Sequence, residues 1–137
     1  MKTTLVPKEH IHVVWDRIKK YVEKCAKYTY GRYTADDILD GLLTKDQHLW
    51  IAFDDKEIYG FWVTEVSVYP QMKALTLHFV GGKKFKVWGE IGFPPLQKFA
   101  KELGCDVMES FGRPGWKKMW EGYGYNPRYV FYELPVE

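Results

Sequence analysis

Three strand patterns in the middle of the chain restrict its fold more than any other feature. Residues 48–53, 58–69 and 72–80 are rich in β-branched and aromatic side chains, and turn signals at 54–57 and 70–71 separate them. Connections this short join antiparallel strands, whereas parallel strands need a long crossover. The sequence therefore predicts a three-stranded antiparallel meander.

Helical patterns precede the meander. From Glu9 to Lys27, apolar residues recur every three or four positions, which predicts an amphipathic helix. Thr34 is a suitable N-cap for a second, shorter helix, with Asp36 and Asp37 in its first turn, where the helix dipole favours negative charge. Residues 3–6 form a short extended segment at the start of the chain.

The second half of the chain alternates between the two patterns. Gly81–Gly82 ends the meander, and a segment over 83–103 follows in which glycines and prolines precede a clearly helical second half. Residues 105–111 form a predicted strand and residues 116–121 a short helix. Residues 128–134 form a predicted last strand.

The predicted order is β-α-α-β-β-β-α-β-α-β. A meander followed by a β-α-β crossover indicates an α/β (α+β) fold, with a mixed, mostly antiparallel sheet covered by helices on both faces. A chain of 137 residues can form one core, so we expect a single domain over residues 1–137. In the third meander strand, alternation predicts Leu75, Leu77 and Phe79 on one face and Thr76, His78 and Val80 on the other.

Composition excludes several classes of protein. No stretch has the apolar length of a membrane span and residues 1–7 lack a signal-peptide pattern, so we expect a soluble protein of the cytoplasm. The four histidines are scattered, which predicts no metal site. Cys25 and Cys105 are expected to be reduced. A net charge of +2 is too small to favour nucleic-acid binding, despite basic and aromatic residues interleaved in the second half.

Several segments, in this order, resemble the GNAT superfamily of N-acetyltransferases. Asp54–Phe61 is similar to the family's hairpin between its second and third strands, and Leu96–Gly104 to the end of the helix after its central strand. Cys105–Phe111 looks like the strand that follows, and Gly124–Tyr125 lies where the family has a Gly-Phe pair. The chain most resembles small GNAT-like proteins of bacteriophages. A phage-encoded protein would lie in the host cytoplasm or in the virion.

The resemblance implies acetyl-CoA as cofactor. GNAT enzymes hold its pyrophosphate on the backbone of a loop with the pattern Q/R-x-x-G-x-G/A. The corresponding loop here, residues 81–86, has two glycines and three lysines but not the full pattern. In the alternative interpretation, the two glycines only end the strand and the lysines are exposed to solvent. The residues assigned to the cofactor are Val80, Gly81, Gly82, Lys83, Lys84, Lys86, Arg113 and Trp116.

The catalytic residues implied by the resemblance are less regular. Many GNAT enzymes use a tyrosine to protonate the departing thiolate, and the matching position here is Trp120, whose indole cannot supply that proton. Tyr123 and Tyr125 are the nearby candidates. Glu65 and His78 are candidate general bases for the amine. Structural roles are the alternative for all four candidates.

Two functions follow from the resemblance. The first is transfer of an acetyl group from acetyl-CoA to an amine of unknown identity, with degenerate motifs. The alternative is a catalytically inactive GNAT fold, encoded by a bacteriophage, that is associated with the virion or binds a host protein. We expect no nucleic-acid partner and no membrane.

Aromatic residues make up 18% of the chain, which is a high share. We divide them between the core and two clusters beside the candidate site. The core rings expected from helix and strand positions are Trp15, Trp50, Phe53, Phe61, Phe79, Phe99 and Phe131. The site clusters are Tyr28, Tyr30 and Tyr33 before the second helix, and Trp116, Trp120, Tyr123 and Tyr125 near the C-terminus.

Overall fold

A computed structural model describes residues 1–136 and gives them a mixed sheet with helices on both faces. The strands are β1 (Lys2–Val6), β2 (Gln47–Phe53), β3 (Ile58–Val68), β4 (Lys73–Gly82) and β5 (Val107–Ser110). The helices are α1 (Ile11–Lys27), α2 (Ala35–Thr44), α3 (Phe85–Glu102) and α4 (Lys117–Gly122). The strands lie in the order β1-β2-β3-β4-β5. All neighbours are antiparallel except β4 and β5, which are parallel. The predicted meander and crossover are confirmed.

The start of α2 follows its local sequence. The Thr34 hydroxyl accepts a hydrogen bond from the backbone N–H of Asp37, at 3.2 Å. The Asp37 carboxylate accepts one in return from the N–H of Thr34, at 2.9 Å. This reciprocal capping box satisfies donors that a helix start leaves free. The hydrogen bonds from Thr34 also lower the pKa of Asp37. The predicted N-cap is confirmed.

Helices α1 and α2 cover one face of the sheet with a mainly aliphatic core. We call this the aliphatic face. Its buried residues come from the two helices and from β1 to β4, because the apolar side of each helix faces the inward positions of the strands. They include Ile11, Ile18, Val22, Ile38, Leu42, Leu49, Phe61, Val63 and Phe79.

Helix α3 covers the opposite face with a core of aromatic rings, which we call the aromatic face. The buried residues are Trp50, Ala52, Tyr59, Trp62, Leu77, Trp88 and Leu96. Two glycines make room for this packing. A Cβ at Gly92 would collide with the ring of Trp62, and one at Gly60 would collide with the ring of Trp88.

The expected interruption of the segment over 83–103 is wrong, because α3 is one helix of 18 residues. Gly89 and Gly92 lie where aromatic rings approach the helix, so they serve packing and do not break it. Pro94 and Pro95 also lie inside the helix. They lack the N–H of two intrahelical bonds, but the buried contacts of Trp88 and Leu96 on either side hold the helix on the sheet.

The expected alternation along β4 is also wrong. Val63 pairs with Phe79 and Thr64 with Leu77, so His78 is an extra residue in β4 with no partner on β3. Such a bulge reverses the side-chain pattern beyond it. Leu77 therefore belongs to the aromatic face and Phe79 to the aliphatic face. Single-strand alternation cannot reveal an inserted residue.

The predicted last strand, 128–134, does not form. Residues 126–136, the C-terminal tail, have no strand pairing, and Phe131, expected in the core, is 69% exposed. The segment has a strand-forming sequence, but no neighbouring strand provides the hydrogen bonds that a strand requires. The strand predicted over 105–111 forms only as the four residues of β5.

Candidate functional site

The centre of the candidate site is the place where two parallel strands separate. Residues Ala74–Leu77 of β4 pair with Val107–Ser110 of β5. Strand β4 then continues to Gly82 without a partner on that side. His78, the bulged residue, immediately follows the last paired position. The chain therefore leaves a gap between the second half of β4 and the segment after β5. We call it the β4–β5 gap.

Val80 directs its backbone groups toward this gap. The thiol of Cys25 on α1 lies 3.6 Å from the Val80 carbonyl oxygen and donates to it. The N–H of Lys83 donates to the Tyr59 carbonyl, and hydrogen-bonded pairs alternate along an antiparallel ladder. Val80, which is paired with Trp62, is therefore at a position whose carbonyl points away from β3. The N–H and C=O of one residue in an antiparallel ladder point to the same side. The Val80 N–H therefore also points away from β3. Burial raises the pKa of the Cys25 thiol, which stays protonated and able to donate.

The two glycines of the predicted cofactor loop belong to β4. A Cβ at Gly81 would crowd the ring of Phe61, and one at Gly82, with φ of 140°, would collide with the backbone of Tyr59 and Gly60. Both glycines are therefore explained by the pairing of β4 with β3. Phe85 and Lys86 belong to α3, so only Lys83 and Lys84 remain as a connector. The six-residue loop expected from the sequence is wrong in extent.

The connector still offers an anion a favourable position. Lys83 forms an ion pair with Glu57, which raises the pKa of the lysine. Lys84 has φ of 56°, a left-handed conformation rare outside glycine. It precedes the first turn of α3, whose free N–H groups and dipole attract negative charge. Lys84 and Lys86 add positive charge beside this turn.

Arg113 spans the outer side of the gap. Its guanidinium lies 3.7 Å from the ring centroid of Tyr28, at the end of α1, and 5.9 Å from that of Trp116. Its positive charge also favours a lower pKa of the Cys25 thiol, the group that contacts Val80. The side chain therefore joins the segment after β5 to the end of α1. The predicted pair of Arg113 and Trp116 lies on one wall of the gap.

Trp120 carries a buried donor without a partner. Its ring stacks on Trp116, with centroids 5.6 Å apart and an interplanar angle of 21°, and meets Phe85 at 6.1 Å. Its indole N–H is buried and unpaired among the described residues. A Cβ at Gly112, just after β5, would lie 2.9 Å from that nitrogen. An unpaired buried N–H costs free energy, so a bound acceptor group would be favourable there.

Tyr123 and Tyr125 pack against residues of α3 and α4. Tyr123 stacks on Phe93 at 6.2 Å, and Tyr125 meets Trp120 at 5.1 Å. Burial raises the pKa of both phenols, that of Tyr125 to about 12. The buried hydroxyl of Tyr125 has no hydrogen-bond partner in the described chain. Both tyrosines therefore stay protonated near neutral pH.

His78 and Glu65 lie together on neighbouring strands. Burial lowers the pKa of His78, while the charge of Glu65 acts in the opposite direction and Lys45 lowers it further. The net result is a neutral imidazole near pH 7. Tyr33 covers the ring edge-on, with centroids 5.5 Å apart. The Glu65 carboxylate accepts a hydrogen bond from Gln47 at 2.5 Å.

Sequence reasoning missed a polar row that continues from Glu65 along the same side of the sheet. Tyr69 and Thr76 both donate to the Glu109 carboxylate, at 2.6 and 2.9 Å, and Ser67 contacts the Thr76 hydroxyl at 2.7 Å. The alternation of Glu65, Ser67 and Tyr69 on one strand was visible in the sequence. Their meeting with Glu109 depends on the parallel pairing of β4 and β5.

Two features are absent from the described residues. They contain no group of three or more histidine, cysteine, aspartate or glutamate side chains that could hold a metal ion. Residues 1–136 also contain no helix long and apolar enough to span a membrane.

No family model and no curated protein matches the sequence. Solved structures match over nearly the whole chain. A protein described as a probable acetyltransferase is 17% identical with a TM-score of 0.74, over 100% of this chain and 99% of that one. The ribosomal-protein-alanine N-acetyltransferase of Brucella melitensis is 14% identical with a TM-score of 0.72, over 99% of this chain and 100% of that one. An aminoglycoside acetyltransferase from a soil metagenomic sample is 10% identical with a TM-score of 0.68, over 99% of this chain and 96% of that one.

These similarities establish the fold. The chain has the fold of the GNAT acetyltransferases, which confirms the fold class expected from the sequence. Identities of this size do not carry an activity or a substrate from one protein to another. The three structures named above are described as acetyltransferases. None of these descriptions concerns a bacteriophage origin, which stays a prediction.

Proposed function

We propose that the chain is an N-acetyltransferase that uses acetyl-CoA and an amine acceptor. The observation that carries the proposal is the β4–β5 gap, with a bulge at His78 where the strands separate and the backbone of Val80 directed away from β3. The solved acetyltransferases with the same fold support it.

Acetyl-CoA would supply an acetyl thioester at the gap. The first turn of α3, with Lys84 and Lys86, would hold its phosphates. The Val80 N–H would donate to the thioester carbonyl, where negative charge develops during transfer. The unpaired indole N–H of Trp120 would donate to another acceptor on the same molecule, and Arg113 and Trp116 would line the wall beside it.

The acceptor amine would approach from the side of Glu65. The carboxylates of Glu65 and Glu109 attract an ammonium group to this side of the sheet. The neutral imidazole of His78 would first take one proton from the ammonium group, which frees the nitrogen lone pair to attack the thioester carbonyl carbon. The nitrogen would lose its second proton to solvent as the amide forms. When the C–S bond breaks, the thiolate needs a proton, and Tyr125, which contacts Trp120, is our candidate to provide it, with Tyr123 as the second.

The test is an assay of acetyl transfer from acetyl-CoA to primary amines, in which the release of the CoA thiol is measured. We would offer an N-terminal alanine peptide, an aminoglycoside and a diamine. We expect transfer to at least one, and His78→Gln should lower kcat/KM by about 10²–10⁴. His12→Gln, an exposed position on α1, is the matched control and should leave the rate unchanged. Equal rates for both variants would contradict the role of His78.

A catalytically inactive binding module is the second candidate function. The observation that favours it is the use of both predicted cofactor glycines in strand pairing, together with the ion pair that engages Lys83. Such a module would fold as described but would show no affinity for acetyl-CoA. The partner predicted from the sequence is a host protein or a virion.

A further inference from the structure

The bulge in β4 brings the rings of His78 and Phe79 side by side. A bulge opposes two residues of one strand to a single position of its partner, and this re-aims a side chain. Here the two ring centroids lie 4.1 Å apart, with an interplanar angle of 39°. Phe79 is buried in the core of the aliphatic face, whereas His78 is half-buried. The imidazole therefore lies against an apolar ring at the margin of that core.

Tyr33 covers this pair of rings from the connector between α1 and α2. Its ring meets that of His78 at a centroid distance of 5.5 Å and an angle of 90°. It meets that of Phe79 at 5.1 Å and 83°. Edge-to-face contacts in this range are favourable between aromatic rings. One tyrosine ring thus packs on the imidazole and on the phenyl ring beside it.

The connector has contacts of its own that fix the position of Tyr33. The Thr29 hydroxyl donates to the carbonyl of Ala26 at 2.8 Å and accepts from the N–H of Tyr33 at 3.1 Å. Between Thr29 and Tyr33, the backbone of Tyr30 and of Gly31 is left-handed, with φ of 54° and 82°. A left-handed residue other than glycine is uncommon and is kept only where its surroundings hold it. The tyrosine ring is therefore held over His78 by a structured turn.

The charges around His78 oppose one another. The Glu65 carboxylate, on β3, favours the protonated imidazole, and the Lys45 ammonium group, just after α2, disfavours it. On β5, the Glu109 carboxylate accepts hydrogen bonds from two other side chains. The phenol of Tyr33 is the titratable group that faces the imidazole from the connector. Burial is the largest influence and lowers the pKa of His78, so the covering rings do more than any one charge to keep it neutral.

We propose that Tyr33 is a positioning residue for His78, because its ring holds the imidazole against Phe79 and keeps solvent from it. The inference rests on the proposed function, in which the imidazole takes a proton from the ammonium group of the acceptor. An imidazole held between two rings meets that group in one orientation, which favours the transfer. Without the Tyr33 ring, water reaches the imidazole and its orientation is no longer fixed.

The first test is an NMR pH titration of the histidine ring protons, which requires no acetyl transfer. The His78 signal is the one that His78→Gln removes. We expect the pKa of His78 to lie below 6.5 in the wild-type protein and to rise toward 6.5 in Tyr33→Ala. Tyr33 is 37% exposed and belongs to neither core cluster, so this variant should fold.

Two further variants serve as controls. Tyr33→Phe keeps the ring and removes only the hydroxyl, so it should keep the wild-type pKa of His78. Tyr30→Ala removes a ring of the same size from the same connector, at a position that is 70% exposed. We expect it to leave the titration of His78 unchanged.

The second test is steady-state kinetics with acetyl-CoA and a primary amine that the wild-type protein acetylates. Tyr33→Ala should lower kcat by about 10- to 100-fold and leave the KM for acetyl-CoA unchanged. The acidic limb of its kcat/KM profile should move to higher pH, as the pKa of the base rises. Tyr33→Phe and Tyr30→Ala should match the wild-type protein. A merely structural role of Tyr33 would lower thermal stability without moving the acidic limb.

An unchanged pKa of His78 in Tyr33→Ala would overturn the proposal. A shift of equal size in Tyr33→Phe or in Tyr30→Ala would do the same, as would a raised pKa with no fall in kcat. If the titration shows the expected shifts but the wild-type protein transfers no acetyl group to any amine, the proposed function fails. The shielding of His78 by Tyr33 would then stand without it.

Discussion

The two faces of the sheet are built in different ways, and the difference locates the site. The aliphatic face is filled mainly by branched side chains that carry no polar atoms, and Trp15 is its one buried tryptophan among the described residues. The aromatic face is filled by rings, and each indole on it brings an N–H. Trp50 donates to Thr64 at 3.0 Å and Trp88 to the carbonyl of Lys83 at 2.6 Å. Trp120 is the indole beside them whose N–H remains buried and unpaired among the described residues.

The unpaired N–H of Trp120 is informative because the indoles of Trp50 and Trp88 on the same face are paired. Buried polar groups in proteins almost always have a partner, so an exception calls for an explanation. Trp120 lies at the edge of the aromatic face, where the segment after β5 passes the start of α3. The aromatic face therefore combines a structural part around Trp62 and Trp88 with a part that faces the candidate site.

The largest effect that separates the two faces should come from Gly92→Ala. In an exposed helix this change would add about 1 kcal/mol of stability. Here the new Cβ collides with Trp62, so we expect a loss of about 1–3 kcal/mol in the free energy of unfolding. Urea unfolding measures it, and Gly115→Ala, with open space around its Cβ, should change the value by less than about 0.5 kcal/mol. A stabilised Gly92→Ala protein would contradict the close packing of this face.

A smaller effect should appear in the pH dependence of stability. Burial lowers the pKa of His48 and of His78 below the value of 6.5 expected in the unfolded chain. As the pH falls below 6.5, these histidines take up protons in the unfolded state before they do so in the folded state. The free energy of unfolding is therefore highest above pH 6.5 and decreases until the pH has passed the folded-state pKa values. The carboxyl groups of Asp37 and Asp54 have lowered pKa values, that of Asp54 about 2, so they titrate at lower pH.

Thermal unfolding between pH 7.5 and 5 measures this effect. The wild-type protein should lose stability across the range, and His78→Gln should lose less, because one titrating group has been removed. His12→Gln should follow the wild-type curve. Stability that rises toward pH 5 in the wild-type protein would show that the two histidines are not held neutral by burial.

The sequence predicts those features that local interactions determine. Thr34 and Asp37 define a helix start within four residues, and the meander follows from short turns between strand patterns. The His78 bulge could not be predicted, because the extra residue exists only relative to the register of β3. The prediction of a strand in the C-terminal tail was wrong for a related reason. Tyr129–Tyr132 has strand propensity, but a strand also requires a partner, and the single chain places none beside it.

The candidate site was predicted in part. The sequence identifies five of the residues discussed above as candidates, and contacts bring most of them to the β4–β5 gap or beside it: His78, Glu65, Val80, Arg113 and Trp116. The cofactor role of Gly81 and Gly82 stays a prediction, although their packing explains why they are glycines. The polar row to Glu109 required the pairing of distant strands.

Calorimetric titration with acetyl-CoA is the sharpest test of a cofactor site at the β4–β5 gap, because it needs no knowledge of the acceptor. We expect saturable heat with one molecule bound per chain, at a dissociation constant of micromolar order, which corresponds to a binding free energy of about −8 kcal/mol. Folded protein that gives no heat at millimolar acetyl-CoA would contradict the claim that the β4–β5 gap is a cofactor site, and would favour the binding module.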